Sequence, residues 1–464
     1  MAKQSVVCRL LKREKNWVKY VFSLISLLLL FVAPSEAQNP IIRDQFSADP
    51  SARVFNGRVY VFPSHDIPVP EGKNLRKGWF CMEDYHVYSS DNLVDWLDHG
   101  KILSQYDVPW VDTNAYSMWA PDCVERNGKY YFYFPAICSK PDSTGRRLFS
   151  IGVAIADKPE GPYTPLPEPI KGIRGIDPNV FIDKDGQAYL YWSLRHIFVA
   201  KLKENMIELD SEPQIIANLP EKGLKEGPWV FERNGIYYLT FPHVENERER
   251  LEYVMGSHPM GPFTMAGVIM DESPSCWTNH HSIIEYKGQW YLFYHHNYLS
   301  PHFDKNRSVC IDSLFFNDDG TIRKVIPTKR GVGVADATRK IEIDRYSKIS
   351  NEGVTIDFID TANTFQGWKA IFSGKGAWVQ FNAVDFGKAD LNSVVVNAYS
   401  EKGGLLEIRL DDIENQPIVK ITIPSDKKWQ IVKSKLIGVK PGIHNIIVTS
   451  KENKKVEVDW LYFE

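Results

Sequence analysis

The chain has 464 residues, 43% hydrophobic and 24% charged, a balance that excludes a largely disordered protein. The formal net charge is −3 and no basic stripe occurs, so the sequence gives no electrostatic support for a nucleic-acid partner. Aromatic residues make up 13% of the chain, an enrichment that favours β-strands and surfaces that stack on sugar rings.

The first 37 residues have the organisation of a secretory signal peptide. Basic side chains precede a mostly apolar run, Val21 to Ala33, and small residues follow at Ser35 and Ala37, where a signal peptidase cuts. The run is shorter than the roughly 18 residues that a membrane span requires. We therefore expect cleavage near Ala37-Gln38, a secreted or periplasmic location, and no membrane span in the mature chain. An uncleaved N-terminal anchor helix is the alternative.

Five cysteines follow this segment, and they are widely spaced: Cys81, Cys123, Cys138, Cys276 and Cys310. Because no two of them form a CxxC pair, the sequence does not support a zinc cluster or a thiol redox motif. The expected compartment permits a disulfide, but nothing in the spacing requires one.

One pattern occurs five times between residues 45 and 300. Each copy has a polar or small pair, a short apolar strand, a two-residue turn ending in glycine, and an aromatic strand. The copies span Asp49 to Asp66, Ala120 to Ala136, Asp177 to Ser193, Gly227 to His243 and His280 to His296, so they begin 50 to 71 residues apart. The turns are Asn56-Gly57, Asn127-Gly128, Asp185-Gly186, Asn234-Gly235 and Lys287-Gly288. Because Asn-Gly and Asp-Gly supply the positive φ angles of tight turns, each copy is predicted to be a β-hairpin.

Five such hairpins, each followed by enough sequence for two further strands, fit five four-stranded blades of a β-propeller. A lone hairpin is only marginally stable, so the hairpins must pack on further strands. We predict an all-β protein in which residues 38–330 form a five-bladed β-propeller. A pair of β-sandwiches or a β-helix is the alternative, although β-helix repeats are much shorter.

The repeat also predicts where functional residues lie, because the first strand of each propeller blade lines the central channel. Aligned on the turn glycine, the copies open with Asp49, Ala120, Asp177, Gly227 and His280, and Glu226 immediately precedes Gly227. Charges that crowd one end of an axis repel and resist desolvation. A single Asp-Pro pair often caps a strand or turn, but three acids at matching positions favour a functional site.

Three clustered carboxylates can take different roles in acid–base catalysis, because their pKa values differ. A carboxyl group with charged neighbours has a raised pKa and acts as an acid, while another stays ionised and acts as a base. Such an acid–base pair of carboxyl groups can catalyse the hydrolysis of a glycosidic bond.

Several motifs along the repeat resemble those of glycoside hydrolase family 43. They are Asp49-Pro50, Trp119-Ala120-Pro121-Asp122, Asp177-Pro178-Asn179, Glu226-Gly227-Pro228, His280-His281-Ser282, and Arg307 followed by the stretch from Asp312 to Gly320. The resemblance covers roughly residues 40–330. It implies a five-bladed propeller and an inverting enzyme that acts on α-L-arabinofuranosides, β-D-xylosides and related plant polysaccharides.

The resemblance also implies roles for the acids. Asp49 matches the general base that activates water, and Glu226 matches the general acid that protonates the leaving oxygen. Asp177 matches a third acid that tunes the pKa of the general acid and orients it. No cofactor is implied for this chemistry.

Further residues match less securely. His280 matches an axial histidine that holds calcium or a water cluster in many members, and its alternative is a hydrogen-bonded core histidine. Arg307 matches an arginine that contacts the sugar, with a surface salt bridge as the alternative. Trp119 is expected to stack on a sugar ring, unless it only packs in the core. His65 and Asp66, at the end of the first hairpin, are candidates for substrate contact.

After about Arg330 the hairpin repeat stops, and residues 337–464 alternate as short strands typical of a jelly-roll β-sandwich. The stretches Trp378 to Phe381, Val384 to Gly387 and Val456 to Trp460 resemble carbohydrate-binding modules of family 6. That resemblance implies a structural calcium ion, for which Glu342 and Asp459 are candidates. We expect Trp368 in a loop as a sugar platform, with Trp378 and Trp460 in the core.

The sequence therefore predicts a secreted glycosidase that releases arabinofuranosyl or xylosyl residues from plant polysaccharides such as arabinoxylan or arabinan. A non-catalytic carbohydrate-binding propeller is the first alternative. A retaining glycosidase that acts on fructosides is the weaker one.

Overall fold

The described residues, 39–388 and 390–464, form seven β-sheets in a computed structural model, together with one short 3-10 helix, Thr364–Gln366. The all-β prediction is confirmed. The predicted signal peptide and its cleavage site lie outside the described residues. Within those residues, no helix has the length and apolar character to span a bilayer.

Five of the sheets follow one another along the chain as the blades of a five-bladed propeller. Blade one has β1 Ala48–Phe55, β2 Arg58–Ser64, β3 Asp84–Ser90 and β4 Leu97–Ser104. Blade two has β5 Asp122–Arg126, β6 Lys129–Ile137, β7 Phe149–Ala156 and β8 Thr164–Pro165. Blade three has β9 Ile176–Ile182, β10 Ala188–Leu194, β11 His196–Leu202 and β12 Gln214–Ile215. Blade four has β13 Trp229–Arg233, β14 Ile236–Val244, β15 Glu249–Gly256 and β16 Phe263–Met270, and blade five has β17 His281–Tyr286, β18 Gln289–His296 and β19 Ser308–Leu314.

The first strands of the blades surround the propeller axis. β1 contacts β5, β5 contacts β9, β9 contacts β13, β13 contacts β17, and β17 contacts β1, so the ring closes. The remaining strands of each blade follow outwards in chain order as an antiparallel sheet.

Four of the five predicted hairpin turns have positive φ at both central residues, as at Asn56 and Gly57. The turn at Asp185-Gly186 differs, because only Gly186 is left-handed and the turn closes by bonds between Asp183 and Gln187 and between Gly186 and Asp183. The prediction of a two-residue turn is wrong there, and the hairpin has a longer loop.

Blade five has three strands among the described residues, so the expectation of four strands in every blade is wrong for this blade. The segment that precedes β1 lies beside β19, the outer strand of blade five. The N–H groups of Ile41 and Ser47 donate to the carbonyls of Val309 and Arg307, at 2.8 and 2.9 Å. The segment before β1 therefore joins the last blade to the first.

The carboxylate of Asp122 links three blades near the axis. It accepts hydrogen bonds from Ser51 at 2.6 Å, from Arg53 at 2.6 and 3.0 Å, and from the Val180 N–H at 2.7 Å. Asp122 is 1% exposed, so this charge is stable in the interior only because Arg53 and the other donors surround it.

The two remaining sheets form the β-sandwich. One contains β20 Ala335–Asp336, β22 Lys348–Ile349, β25 Trp378–Asp385, β27 Gly404–Leu410, β28 Val419–Ile423 and β30 Ile443–Ser450. The other contains β21 Ile341–Glu342, β23 Val354–Phe358, β24 Trp368–Phe372, β26 Ser393–Ser400, β29 Asp426–Lys435 and β31 Val456–Phe463. Aliphatic and phenyl side chains from both sheets fill the core between them.

We expect Asp122→Ala to lower the free energy of unfolding of the propeller by about 3–5 kcal/mol, because it leaves the half-buried Arg53 guanidinium without its partner. Denaturant unfolding followed by tryptophan fluorescence measures this loss. Asp91→Ala, which removes a solvent-exposed partner of Arg58, is the matched control and should cost less than about 1 kcal/mol. Equal effects of the two substitutions would contradict the role assigned to Asp122.

Candidate active site

The predicted acids lie at one end of the propeller axis. Asp49 and Asp177 occupy matching bulges in β1 and β9, with φ of 46° and 57°, a left-handed conformation that is rare for non-glycine residues. In blade four the left-handed residue is Gly227, with φ of 51°. A Cβ there would lie 3.1 Å from the His280 ring, so the close approach also requires glycine.

These residues border one pocket of about 360 Å³. Its lining comprises Asp49, Phe80, Met82, Trp119, Ala120, Ile176, Asp177, Glu226, Glu249, Thr278, Asn279, His280 and Arg307. Phe80 and Met82 come from the long connection between the first two hairpins. The pocket thus brings together the three predicted acids, His280, Arg307 and Trp119.

Asp49 is held as a carboxylate. Its oxygens accept hydrogen bonds from both terminal nitrogens of Arg307, at 2.7 and 3.2 Å, and from the Ser64 hydroxyl at 2.7 Å. Burial alone would raise the pKa of Asp49, but Arg307, the two nearby histidines and Ser64 outweigh it and lower the pKa to about 2. Asp49 is therefore ionised at neutral pH, as a general base must be.

Arg307 itself is fixed by Asp66. The Asp66 carboxylate accepts from Arg307 Nε and Nη2, each at 2.9 Å, and from the Arg307 backbone N–H at 2.8 Å. Asp66 is 1% exposed and does not line the pocket. The prediction that Asp66 contacts substrate is therefore wrong, because its carboxylate is buried behind the guanidinium that it orients.

His65 also does not line the pocket. Its Nδ1 atom lies 2.6 Å from an Asp84 oxygen, and its ring packs against His86 with centroids 5.3 Å apart. The side chain therefore packs against β3, and its contact with substrate stays a prediction.

Asp177 and Glu226 share the opposite wall. Asp177 accepts a hydrogen bond from the Gly227 N–H at 3.0 Å. Burial, followed by repulsion from Glu226, raises the pKa of Asp177 well above its ordinary value. Burial, followed by repulsion and hydrogen bonding with Glu249, raises the pKa of Glu226 in the same direction. The raised pKa favours the protonated form of Glu226, which a general acid requires.

Glu249 is a fourth acid that the repeat alignment misses, because it lies on the third strand of blade four rather than before the first. It is 1% exposed, and its Oε2 atom accepts from the Asn279 N–H at 2.7 Å. Its Oε1 atom has no donor among the described residues, and its carboxyl group forms a hydrogen bond with that of Glu226, which requires a proton on one of the two. Burial raises the pKa of Glu249 to about 7 despite these bonds.

The surroundings of His280 do not fit a protein-held calcium ion. The nearest carboxylate oxygen, on Asp49, is 3.7 Å from its Nδ1 atom and is already bound by Arg307. Calcium prefers several oxygen ligands, and His280 belongs to no group of three ligating side chains among the described residues. The one such group, His65, Asp84 and His86, lies outside the pocket lining.

Trp119 stands between this pocket and a neighbouring cleft, since it lines both. Its ring packs against Phe149 and Phe80, with centroids 4.6 and 5.7 Å away. Its Nε1–H group is buried without an acceptor among the described residues. Trp119 therefore offers both a ring face and a free donor, which suits recognition of a hydroxylated ring.

A second acidic group lies in the sandwich, where Glu342 and Asp459 interact with each other. Sequence reasoning missed its third member, Asp344, which is completely buried. No hydrogen bond reaches either Asp344 oxygen among the described residues, although Arg345 Nε lies 3.0 Å away as an ion pair. Asp344 thus has buried carboxylate oxygens without a hydrogen-bond donor among the described residues, and carboxylate oxygens are the ligands that calcium prefers.

The tryptophans of the sandwich differ from expectation. Trp368 begins β24, is 4% exposed and stacks on Phe358, so it is not a sugar platform. Trp378 and Trp460 lie in strands as expected, but they are half-buried rather than in the core. Trp429 is 37% exposed beside Tyr399 and is the better candidate for contact with a ligand.

No disulfide occurs among the described residues, and the five cysteines that they include are free. The sulfurs are mostly buried, and burial raises the pKa of Cys81 to about 11 and that of Cys276 to about 12. Cys81, Cys123, Cys276 and Cys310 are therefore unreactive core side chains at neutral pH.

Comparison with known proteins agrees with this geometry. The model of glycosyl hydrolases family 43 matches residues 37–322, and that of carbohydrate binding module family 6 matches residues 347–464. Xylosidase/arabinosidase 43A of Humicola insolens is 39% identical over 331 residues, 61% of this chain and 98% of that protein. A xylosidase/arabinosidase of Bacteroides ovatus is 35% identical, covering 61% of this chain and 95% of that protein.

A solved structure is similar as well. A family 43 β-xylosidase/α-arabinofuranosidase from a compost microbial metagenome, in a calcium-free complex with xylotriose, has 34% identity and a TM-score of 0.57. The match covers 63% of this chain and 98% of that one. With clustered carboxyl groups of opposite pKa shift in one pocket of a five-bladed propeller, the chain is a glycosidase that belongs to glycosyl hydrolases family 43.

Proposed function

We propose that this glycosidase is a secreted inverting enzyme that releases α-L-arabinofuranosyl or β-D-xylosyl residues from plant polysaccharides such as arabinoxylan or arabinan. The observation that carries the proposal is that the pKa values of two acids in one pocket shift in opposite directions. Arg307 outweighs burial and lowers the pKa of Asp49 to about 2, whereas burial and the neighbouring Glu249 raise the pKa of Glu226 well above its ordinary value.

In the proposed reaction, Glu226 donates its proton to the glycosidic oxygen as the bond from that oxygen to the anomeric carbon breaks. Water attacks the anomeric carbon from the opposite face and gives its proton to Asp49. The released sugar carries the water oxygen, and the polysaccharide leaves with the proton from Glu226. Proton exchange with solvent then restores both acids.

The relatives support a pentose as the released sugar. The proteins of Humicola insolens and Bacteroides ovatus are named for action on both xylosides and arabinosides. The compost enzyme was crystallised with xylotriose. A small pocket lined by Asp49, Glu226 and Trp119 suits a terminal residue, so we favour release of single sugars.

A non-catalytic binding protein is disfavoured by the electrostatics of the site. Four acids are buried together in the pocket: Asp49, Asp177, Glu226 and Glu249. Such crowding lowers the stability of a fold, and proteins retain it where the acids have a catalytic role. A binding site for neutral sugars would need none of these charges.

We expect Glu226→Gln to lower kcat/KM on arabinoxylan oligosaccharides about 10²- to 10⁴-fold, the usual worth of a general acid. Aryl glycosides with acidic leaving groups need little protonation and should lose much less. Asp49→Asn should abolish turnover of both substrates. Initial rates on nitrophenyl α-L-arabinofuranoside, nitrophenyl β-D-xyloside and the oligosaccharides measure these effects.

Proton NMR of the first-formed sugar tests inversion in the same samples, because the product anomer must differ from the substrate. Retention of configuration would contradict the roles of Asp49 and Glu226. Binding of arabinoxylan without release, unchanged in Asp49→Asn, would support the binding-protein alternative.

We expect Glu249→Gln to move the alkaline limb of the kcat/KM profile to lower pH. Glu249 raises the pKa of Glu226 by repulsion and hydrogen bonding, so its removal lets Glu226 lose its proton at lower pH. At neutral pH the loss should be on the order of tenfold on oligosaccharides, by the size of one pKa step. Rates measured from pH 4 to 9 test this.

Glu252→Gln is the matched control, because Glu252 is equally buried on the same strand but faces Arg250 and His243 outside the pocket. It should leave the alkaline limb in place. If Glu249→Gln lowers kcat/KM equally at every pH and leaves the alkaline limb at the same pH, Glu249 has only a packing role.

We also propose that the sandwich holds a structural calcium ion on Glu342, Asp344 and Asp459. The ion would neutralise three clustered carboxylates and so join the N-terminal and C-terminal ends of the module. It has no part in the proposed reaction.

Calcium at about 100 times its Kd should raise the unfolding midpoint of the sandwich by roughly 5 °C or more, and chelation should reverse the rise. Asp344→Asn should abolish the response in differential scanning calorimetry. Asp357→Asn, an exposed acid on the neighbouring β23, is the control that should keep it. A calcium response that survives Asp344→Asn would place the ion elsewhere.

A further inference from the structure

A cleft of about 1060 Å³ adjoins the catalytic pocket. It shares Trp119, Ile176 and Glu226 with the pocket, so the two cavities meet at the general acid. Because the acid protonates the leaving oxygen, whatever is attached to that oxygen extends past Glu226 into this cleft. The cleft is therefore the side on which the rest of the polysaccharide lies, an assignment that rests on the proposed function.

Two arginines line this cleft without a charge partner. Arg174 and Arg195 are both exposed, and neither guanidinium has a hydrogen bond, ion pair or ring contact among the described residues. By contrast, Arg53 and Arg307 each form an ion pair with an aspartate. Two unpaired guanidinium groups in one cleft form an anion-binding arrangement.

Among the described residues, the other charged side chains of the cleft form no ion pair with them. Asp142 is ionised, because hydrogen bonds from Thr144 and Arg146 lower its pKa to about 2. The Asp142 carboxylate is used within its own turn, where it accepts from Thr144 N–H at 2.8 Å, Thr144 Oγ1 at 2.6 Å and Arg146 N–H at 3.0 Å. Lys225 is buried and donates to the carbonyls of Lys222 and Gly223. Only the two arginines therefore remain available to a ligand.

The backbone at Arg195 is also unusual. Arg195 forms the reversal between β10 and β11 by itself, and its φ of 62° is a conformation that glycine adopts without strain. A long charged side chain at this position costs stability, which is typical of a residue retained for contact with a ligand. Leu194 beside it is 48% exposed and adds apolar surface to the cleft wall.

We propose that this cleft recognises a carboxylate on the leaving group, so that the enzyme prefers linkages next to a uronic acid substituent. Carboxylates match the planar fork of arginine, and uronates are the carboxylate sugars of plant cell-wall polysaccharides. The recognition has to be local, because the chain as a whole carries a net charge of −3 and does not attract anions.

The test compares two forms of one substrate. A xylo-oligosaccharide with a glucuronosyl branch on the unit after the scissile bond is assayed beside the same molecule after reduction of its carboxyl group. The mature chain should cleave the acidic form with a kcat/KM at least about 5-fold higher at low ionic strength, and added salt should reduce this ratio.

Arg174→Gln/Arg195→Gln should bring the ratio close to one. Lys140→Gln/Arg146→Gln removes the same charge from residues near the cleft that do not line it, and should keep the ratio of the parent. Arg195→Gly relieves the backbone strain, so it should fold at least as well as the parent while the ratio still falls.

A ratio of one in the parent, or a ratio that the double variant keeps, would overturn this inference and leave the proposed function intact. A fall of similar size in Lys140→Gln/Arg146→Gln would also overturn it, because the effect would then be general electrostatics. A parent that releases no sugar from simple aryl glycosides either would instead remove the proposed function, and the inference with it.

Discussion

A buried guanidinium between two buried carboxylates is the interaction on which the site depends. Arg307 is 3% exposed and binds Asp49 on one side and Asp66 on the other. Burial alone would lower the pKa of Arg307, but the two aspartates outweigh it and raise the pKa. Without this cation, Asp49 would face three other acids and would take up a proton. The base of the proposed reaction therefore exists because Asp66 fixes Arg307.

The same crowding produces the acid. Arg307 forms its hydrogen bonds with Asp49 on one wall of the pocket. The acids on the other wall have no such cation among the described residues and form hydrogen bonds with one another. Glu226 and Glu249 form such a pair, and Asp177 takes the Gly227 N–H at 3.0 Å. Two roles thus arise from side chains of one chemical type, set by which of them the arginine reaches.

The parts that the sequence predicts well are those coded locally. Turn glycines and alternating strands repeat along the chain, so the blades and the axial acids Asp49, Asp177 and Glu226 follow from alignment of the repeats. The bond between Asp66 and Arg307 joins residues 241 positions apart, and no local pattern indicates it. Glu249 lies on an outer strand, outside the aligned position.

Trp119 separates the catalytic pocket from the neighbouring cleft, and the two cavities differ in their charged groups. The pocket side of Trp119 holds the buried acids, of which Arg307 contacts Asp49, and in the proposed reaction it receives a sugar that offers only hydroxyl groups. The cleft side holds the solvent-exposed Arg174 and Arg195, which have no ion-pair partner among the described residues and can bind an anion there. An anion inside the pocket would repel Asp49 and raise its pKa. Charge recognition therefore has to lie on the leaving-group side, where water screens it from the catalytic pair.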